Sequence, residues 1–322
     1  MKKLITLVLL LPIFGFSNLD SSESKNYWKY HERIDEAEKL ICDEQFEEAL
    51  SIFREVFSSY DFVFLKDYKT AAQIAFYLGE TKHAYDIIRN GIEAGWELKS
   101  IKKNEFLSEF TKEPEWKLIE EEYPDLRKKY FSRLDEITRG NVHEMFKDDQ
   151  KMAFGTLFRI GEKAQNKYLT NKFAPHSENQ YQKFLKIIDT QGYPGEQLIG
   201  NNYWMSTILS HHNSITTEYV KNDTLYSSIK PKLLKAIEKG EMSPYEFALI
   251  DDWYIAVSSN RKQTGYGFLN SPLKSTLLET DQLRQNVGLR SVEQRNKLVE
   301  IEKKTGMNFY LPDWISGEIK IE

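Results

Sequence analysis

The sequence predicts an all-α protein, with a tetratricopeptide-like array of helical hairpins followed by a second helical domain that carries a glycine-bearing loop. Three observations predict it. Apolar residues recur at helical spacing along most of the chain, no segment alternates at period two for long, and one pair of helices repeats after 35 residues, Ala49 falling on Ala84. Hydrophobic residues make up 40% of the 322, enough to fill packed cores and to exclude collagen-like or broadly disordered classes. At most a short extended pair is expected near the C-terminus.

The first element is an address. Lys2 and Lys3 precede the apolar stretch Leu4–Phe16, and Gly15 and Ser17 put small side chains where a signal peptidase would cut before Asn18. Residues 1–17 therefore read as a signal peptide and 18–24 as a polar leader. A retained N-terminal anchor is the alternative. The apolar stretch falls short of the roughly 20 residues that span a bilayer, and no cysteine near the cut supports a lipid anchor. No second long apolar run follows. The expected location is outside the bacterial cytoplasm, periplasmic or secreted, with no stable membrane span after cleavage. Cys42 is the only cysteine, so no internal disulfide is available, and its place after Leu40 and Ile41 on a helix predicts a buried, inert thiol.

Residues 25–135 form the hairpin array. Phe46, Ala49, Leu50, Phe53, Val56 and Phe57 share one helical face, preceded by Ile34, Ala37 and Ile41 on another helix. A second pair is predicted over 67–78 and 81–94, with Gly79 at its turn and Glu44 at the corresponding turn of the first. Small residues (Ala49, Ala84, Ala71, Ala72, Ala75) stand where antiparallel helices cross closely. The period and these alanines resemble tetratricopeptide repeats, although the Trp-x-x-Leu-Gly opening is missing. Residues 101–133 supply further helices, with Pro114 and Pro124 read as first-turn prolines.

The second domain is read as 139–305, with a tail over 306–322. Helices are predicted over 142–167, 177–191, 203–212, 225–239, 244–259 and 292–304. Gly192 caps the second of these, and Ser243-Pro244 starts the fifth. Residues 261–278 are read as loop.

Strong catalytic signatures are missing. The chain holds no Walker loop, no Gly-x-Gly-x-x-Gly, no Cys-x-x-Cys, no Gly-x-Ser-x-Gly and no His-Glu-x-x-His. A looser set remains. Asp251 and Asp252 lie within a helix that is apolar nearly all round, so at least one needs a partner, with His211, His212, Arg261 or a backbone turn as candidates. The neighbouring histidines point about 100° apart, so only one should face a given site. His211, Asp252 and Asp149 are the catalytic candidates, with His211 also the candidate metal ligand. Gln150, Gln263 and Tyr266 are the candidate ligand contacts. Each has a plainer structural reading: a hydrogen-bonded core histidine, a carboxylate clamp, a charged helix face or a tight turn.

In order, several of these segments resemble one bacterial family. Glu144-Met145 with Asp149-Gln150, Tyr193-Pro194-Gly195 with Ile199-Gly200, and Trp204 through His211 are similar to its motifs. So are Gly240-Glu241 with Ser243-Pro244, then Ala248 and Asp252, then Gln263 with Tyr266-Gly267, and Val287-Gly288-Leu289. The resemblance is to domain of unknown function 6624 and spans roughly 139–300. It brings no activity with it. Trp253 stands where that family has arginine, and Gly265 interrupts its Gln-to-Tyr spacing, so a reactive edge there would be altered.

The leading expectation is an exported helical-repeat protein without catalysis, binding a protein or peptide through the array or sensing a ligand through the second domain. The alternative is an all-α hydrolase, metal-dependent in one version, that gathers Asp149, His211, Asp252 and the Gln263–Tyr266 loop. No cofactor is implied. A charge balance of 44 basic against 49 acidic residues gives no basis for nucleic-acid binding.

Overall fold

A computed structural model describes residues 25–311, 315 and 317–322; the expected signal peptide and leader, and Trp314 in the tail, lie outside the described residues. The described residues are helical, with no strand among them. The only sign of the extended pair expected near the C-terminus is a reciprocal backbone contact, Lys274 N to Glu322 O (2.8 Å) and Glu322 N to Pro272 O (2.9 Å).

The array opens with two hairpins, α1 (Tyr27–Cys42) with α2 (Phe46–Ser59) and α3 (Leu65–Tyr77) with α4 (Thr81–Glu93). Ala37, Ala49, Ala71, Ala72, Ala75 and Ala84 are all fully buried, which is how these helices come close. The 35-residue repeat holds in the backbone. Glu44 N bonds to Ile41 O and Gln45 N to Leu40 O, as Gly79 N bonds to Phe76 O and Glu80 N to Ala75 O. Glu44 (φ 60°) and Gly79 (φ 77°) both take the left-handed conformation that closes a helix end. Short helices α5 (Leu98–Lys103) and α6 (Glu105–Ser108) then lead to α7 (Pro114–Ser132), which packs on α4. Pro114 holds the first turn as expected, but Pro124 lies inside α7. It sits on the exposed side, where water can solvate the carbonyl it leaves unbonded.

The second bundle comprises α8 (Glu136–Leu157), α9 (Glu162–Tyr168), α10 (Ala174–Gln191), α11 (Glu196–Ile199), α12 (Trp204–His212), α13 (Thr217–Asn222), α14 (Leu225–Glu238), α15 (Pro244–Ser258) and α16 (Leu277–Asn286). The single helix expected over 142–167 is two. The chain breaks at Phe158–Gly161 and doubles back so that Tyr168 lies on Gly155, where a side chain would collide with its ring, and its hydroxyl donates to Met152 O (3.0 Å). Helix α16 falls partly in the stretch read as loop. Its sequence has no apolar period to betray it, because Arg284 takes the buried position.

The last helix, α17 (Val292–Thr305), returns to the array. Leu298, Ile301, Met307 and Phe309 belong to the core built on α1–α4, and Cys42 Sγ lies 3.5 Å from Gln294 O. The fully buried Gln73 amide clamps the following segment by accepting from Asn308 N (2.8 Å) and donating to Asn308 O (2.6 Å). Residues read as the end of the second domain and as a tail thus complete the first core. The Cys42 thiol is buried, and burial pushes it up to about 12, so it stays protonated.

Candidate functional site

Helix α15 begins at Ser243, whose side chain accepts from Tyr245 N (3.2 Å), with Pro244 in the first turn. Almost every face of it is covered, so Asp251 and Asp252 are both fully buried. Each meets a different solution. Asp251 takes Lys230 Nζ at 2.8 and 2.9 Å on its two oxygens and the hydroxyls of Tyr226 (2.7 Å) and Tyr266 (3.0 Å). Burial and the neighbouring carboxylate push both phenols far up, so they remain donors. Asp252 accepts three backbone amides from the glycine-bearing loop, Tyr266 N (2.8 Å), Phe268 N (2.9 Å) and Leu269 N (3.0 Å). Burial nonetheless raises its carboxyl to about 6. The backbone turn was among the expected partners; Lys230 was not. Arg261 instead stacks on Trp253, 5.7 Å from its ring.

The histidines also part company. His211 Nδ1 lies 2.6 Å from Oδ2 of the fully buried Asp149 and keeps 30% of its side chain exposed. His212 is buried, with Nδ1 2.9 Å from Ser177 Oγ and Nε2 3.3 Å from Asp223 Oδ2. That sequence of Ser, His and Asp looks like a nucleophile relay, yet Ser177 is fully buried and Asp223 caps α14 by accepting from Leu225 N and Tyr226 N. Structure brings His211 to Asp149 and the Tyr266 loop to Asp251 and Asp252. No hydrogen bond or ion pair among the described residues joins the two groups. Gln263 is exposed at the loop's edge and Gln150 is half-buried. Among the described residues no three His, Cys, Asp or Glu side chains are grouped to hold a metal, and His211, the candidate metal ligand, is paired with Asp149.

A third place was not legible beforehand. Where the array meets the second bundle lies a cleft of about 410 Å³, walled by α1, α3, α15, the Glu196–Tyr203 segment and the turn at Gly288–Arg290. One end is an ion network. Lys66 Nζ lies 2.7 Å from Asp67 and 3.1 Å from Glu38, and Arg290 Nη2 lies 2.6 Å from Glu38. Two cations face two anions there. Elsewhere in the wall stand Glu196 and Glu246. Phe64 offers no side-chain cap to α3, and Glu196 supplies one across the seam by accepting Leu65 N at 2.7 Å. Glu246 accepts the Tyr193 hydroxyl at 3.3 Å. Neither has an ion-pair partner among the described residues. Burial raises both carboxyls to about 7, with Glu196 adding repulsion at Glu246.

Unmatched polar atoms stand in these walls. His31 and Tyr245 are each more than nine-tenths buried, and neither His31 Nε2 nor the Tyr245 hydroxyl has a hydrogen-bond partner. Burial first, and then the Lys66 charge, hold the imidazole down at about 3, so it is neutral; burial raises the phenol to about 12. Sequence reasoning found Asp251 and Asp252 but passed over Glu246, a third acid on the same apolar helix, which was the available signal. Ser243, Pro244 and Gly288, noted in the resemblance, also wall the cleft.

Comparison with known protein families, curated proteins and solved structures gives no significant match.

Proposed function

We propose that this chain is an exported ligand-binding module and that the cleft between the hairpin array and the second bundle is its binding site. One observation carries the reading: two buried polar groups, His31 Nε2 and the Tyr245 hydroxyl, stand unmatched in the walls of one cavity. A buried polar group without a partner costs about 1–3 kcal/mol, and a bound molecule would recover that at both positions. A molecule seated there would touch both helical units, which is what a sensing role needs. The peptide-binding version of the expectation is less favoured, because the chain's own Asn308 and Phe309 already lie on Gln73 and Thr70 of α3.

The hydrolase alternative draws on the His211–Asp149 pair. Against it, Asp252 is engaged by three amides and the Tyr266 hydroxyl by Asp251, so neither is free for a substrate.

Thermal-shift screening of the intact chain against amino acids, polyamines, monosaccharides and nucleotides tests the binding reading. At least one class should raise the Tm, and Tyr245→Phe should weaken that shift while raising the Tm of the free protein, since it deletes an unmatched hydroxyl. No stabilising compound, or shifts of equal size in Tyr245→Phe and His31→Ala, would overturn the reading.

A further inference from the structure

We infer that the cleft takes a ligand bearing an ammonium or guanidinium group, seated between the carboxyl groups of Glu196 and Glu246. The inference rests on the cleft being the ligand site and adds the charge class of what enters it.

The argument is one of charge matching. At the other end Lys66 and Arg290 answer Glu38 and Asp67. The nearby cations Lys69 and Arg133 act on Glu196 without forming an ion pair with it, and their closest contacts are to other groups. Lys69 Nζ sits over the rings of Tyr310 (4.7 Å) and Trp96 (5.8 Å). Arg133 donates to the backbone carbonyls of Gln197 (2.9 Å), Ala94 (3.4 Å) and Glu196 (3.5 Å). Glu196 accepts Leu65 N and Glu246 accepts the Tyr193 hydroxyl, with Ser243 and Ser206 also acting on Glu246, and neither glutamate has an ion-pair partner among the described residues. Two such carboxyls lining one cleft repel each other when ionised, and a cation between them removes that repulsion. His31 Nε2 and the Tyr245 hydroxyl, unmatched in the same walls, offer hydrogen bonds to the rest of the molecule. Phe64 and Tyr203 also line the cleft and suit the apolar body of such a ligand.

Binding should then release protons. The groups acting on Glu196 are Leu65 N, Arg133, Asp67 and Lys69, and those acting on Glu246 are Glu196, the Ser243 backbone, Tyr193 and Ser206. Around neutrality the free carboxyls are partly protonated, and an arriving cation favours their ionised form.

The test uses three probes on one scaffold: tyramine, 4-ethylphenol and 3-(4-hydroxyphenyl)propionate. Calorimetric titration of the intact chain, in two buffers of different ionisation enthalpy at about pH 6, 7 and 8, reads affinity and protons together. Tyramine should bind at least about tenfold tighter than 4-ethylphenol, with net proton release and an affinity that rises from pH 6 to 8. Glu246→Gln resembles the protonated side chain and should fold; it should cut tyramine affinity about tenfold, leave 4-ethylphenol unaffected and flatten the pH response. Glu196→Gln, which keeps an oxygen for Leu65 N, should act in the same direction. If the propionate or 4-ethylphenol binds as well as tyramine, and Tyr245→Phe weakens it, the cleft reading stands and the cation inference falls. If none of the three binds, the cation inference falls, and the compound screen decides the cleft reading by itself.

Discussion

Gly265 lies against Asp252 so closely that a Cβ at position 265 would overlap the carboxylate Oδ1. The glycine also has φ 55°, in the left-handed region. It lets the backbone fold over the carboxylate, so that Tyr266, Phe268 and Leu269 can all donate to it. Gly265→Ala should therefore destabilise the chain by roughly 2–4 kcal/mol, combining the left-handed penalty with weakened hydrogen bonds to a buried anion. Urea unfolding checks this, and a loss below about 1 kcal/mol would show that the loop can relax.

Asp251 depends on Lys230 in a different way. The lysine reaches it from α14 with its Nζ over the Phe247 ring, 5.9 Å from the ring centre, and its side chain still 39% exposed. Lys230→Met keeps the stem and deletes the charge, leaving a fully buried carboxylate with two tyrosine donors. A loss of about 2–4 kcal/mol is expected, most of it recovered by adding Asp251→Asn. A double-mutant cycle in urea measures it, and additive single losses would show that the pair is not coupled.

The fold was legible wherever a helix carries its own apolar face. Phe46 to Val56 and Ala71 to Phe76 announce their helices, and the match of Glu44 to Gly79 survives down to the sign of φ. What was not legible depends on long-range packing. The α16 helix buries an arginine, with Arg284 donating to Arg290 O (2.6 Å) and Tyr266 O (2.9 Å), so no apolar period marks it. Nothing local tells that Leu298 and Ile301 of α17 complete a core begun some 250 residues earlier. The buried acids of α15 could be found because charge within an apolar helix is visible in one window. The cleft could not, since Glu196 meets α3 from 131 residues away and His31 meets Tyr245 only once both units are built.

Those same carboxyls should make the protein's stability fall as pH rises through neutrality. Burial holds Glu196 and Glu246 at about 7 and Asp252 at about 6, against ordinary values of 4.5 and 3.8. Between those limits the folded chain binds protons that the unfolded chain has already released, so raising the pH favours unfolding. His31 works the other way. Its imidazole is held at about 3 against an ordinary 6.5, so acid favours the unfolded state, which can take up that proton. That opposing effect fades above its ordinary value, leaving the carboxyls dominant there. Calorimetric scans at constant ionic strength should therefore show the Tm falling between about pH 6 and 8, with a shallower slope in Glu246→Gln. A Tm that rises over that interval, or a slope unchanged by the substitution, would mean that the glutamates are solvated and ionise as ordinary side chains. A bound cation should also flatten the wild-type slope, because it stabilises the ionised carboxyls that burial disfavours.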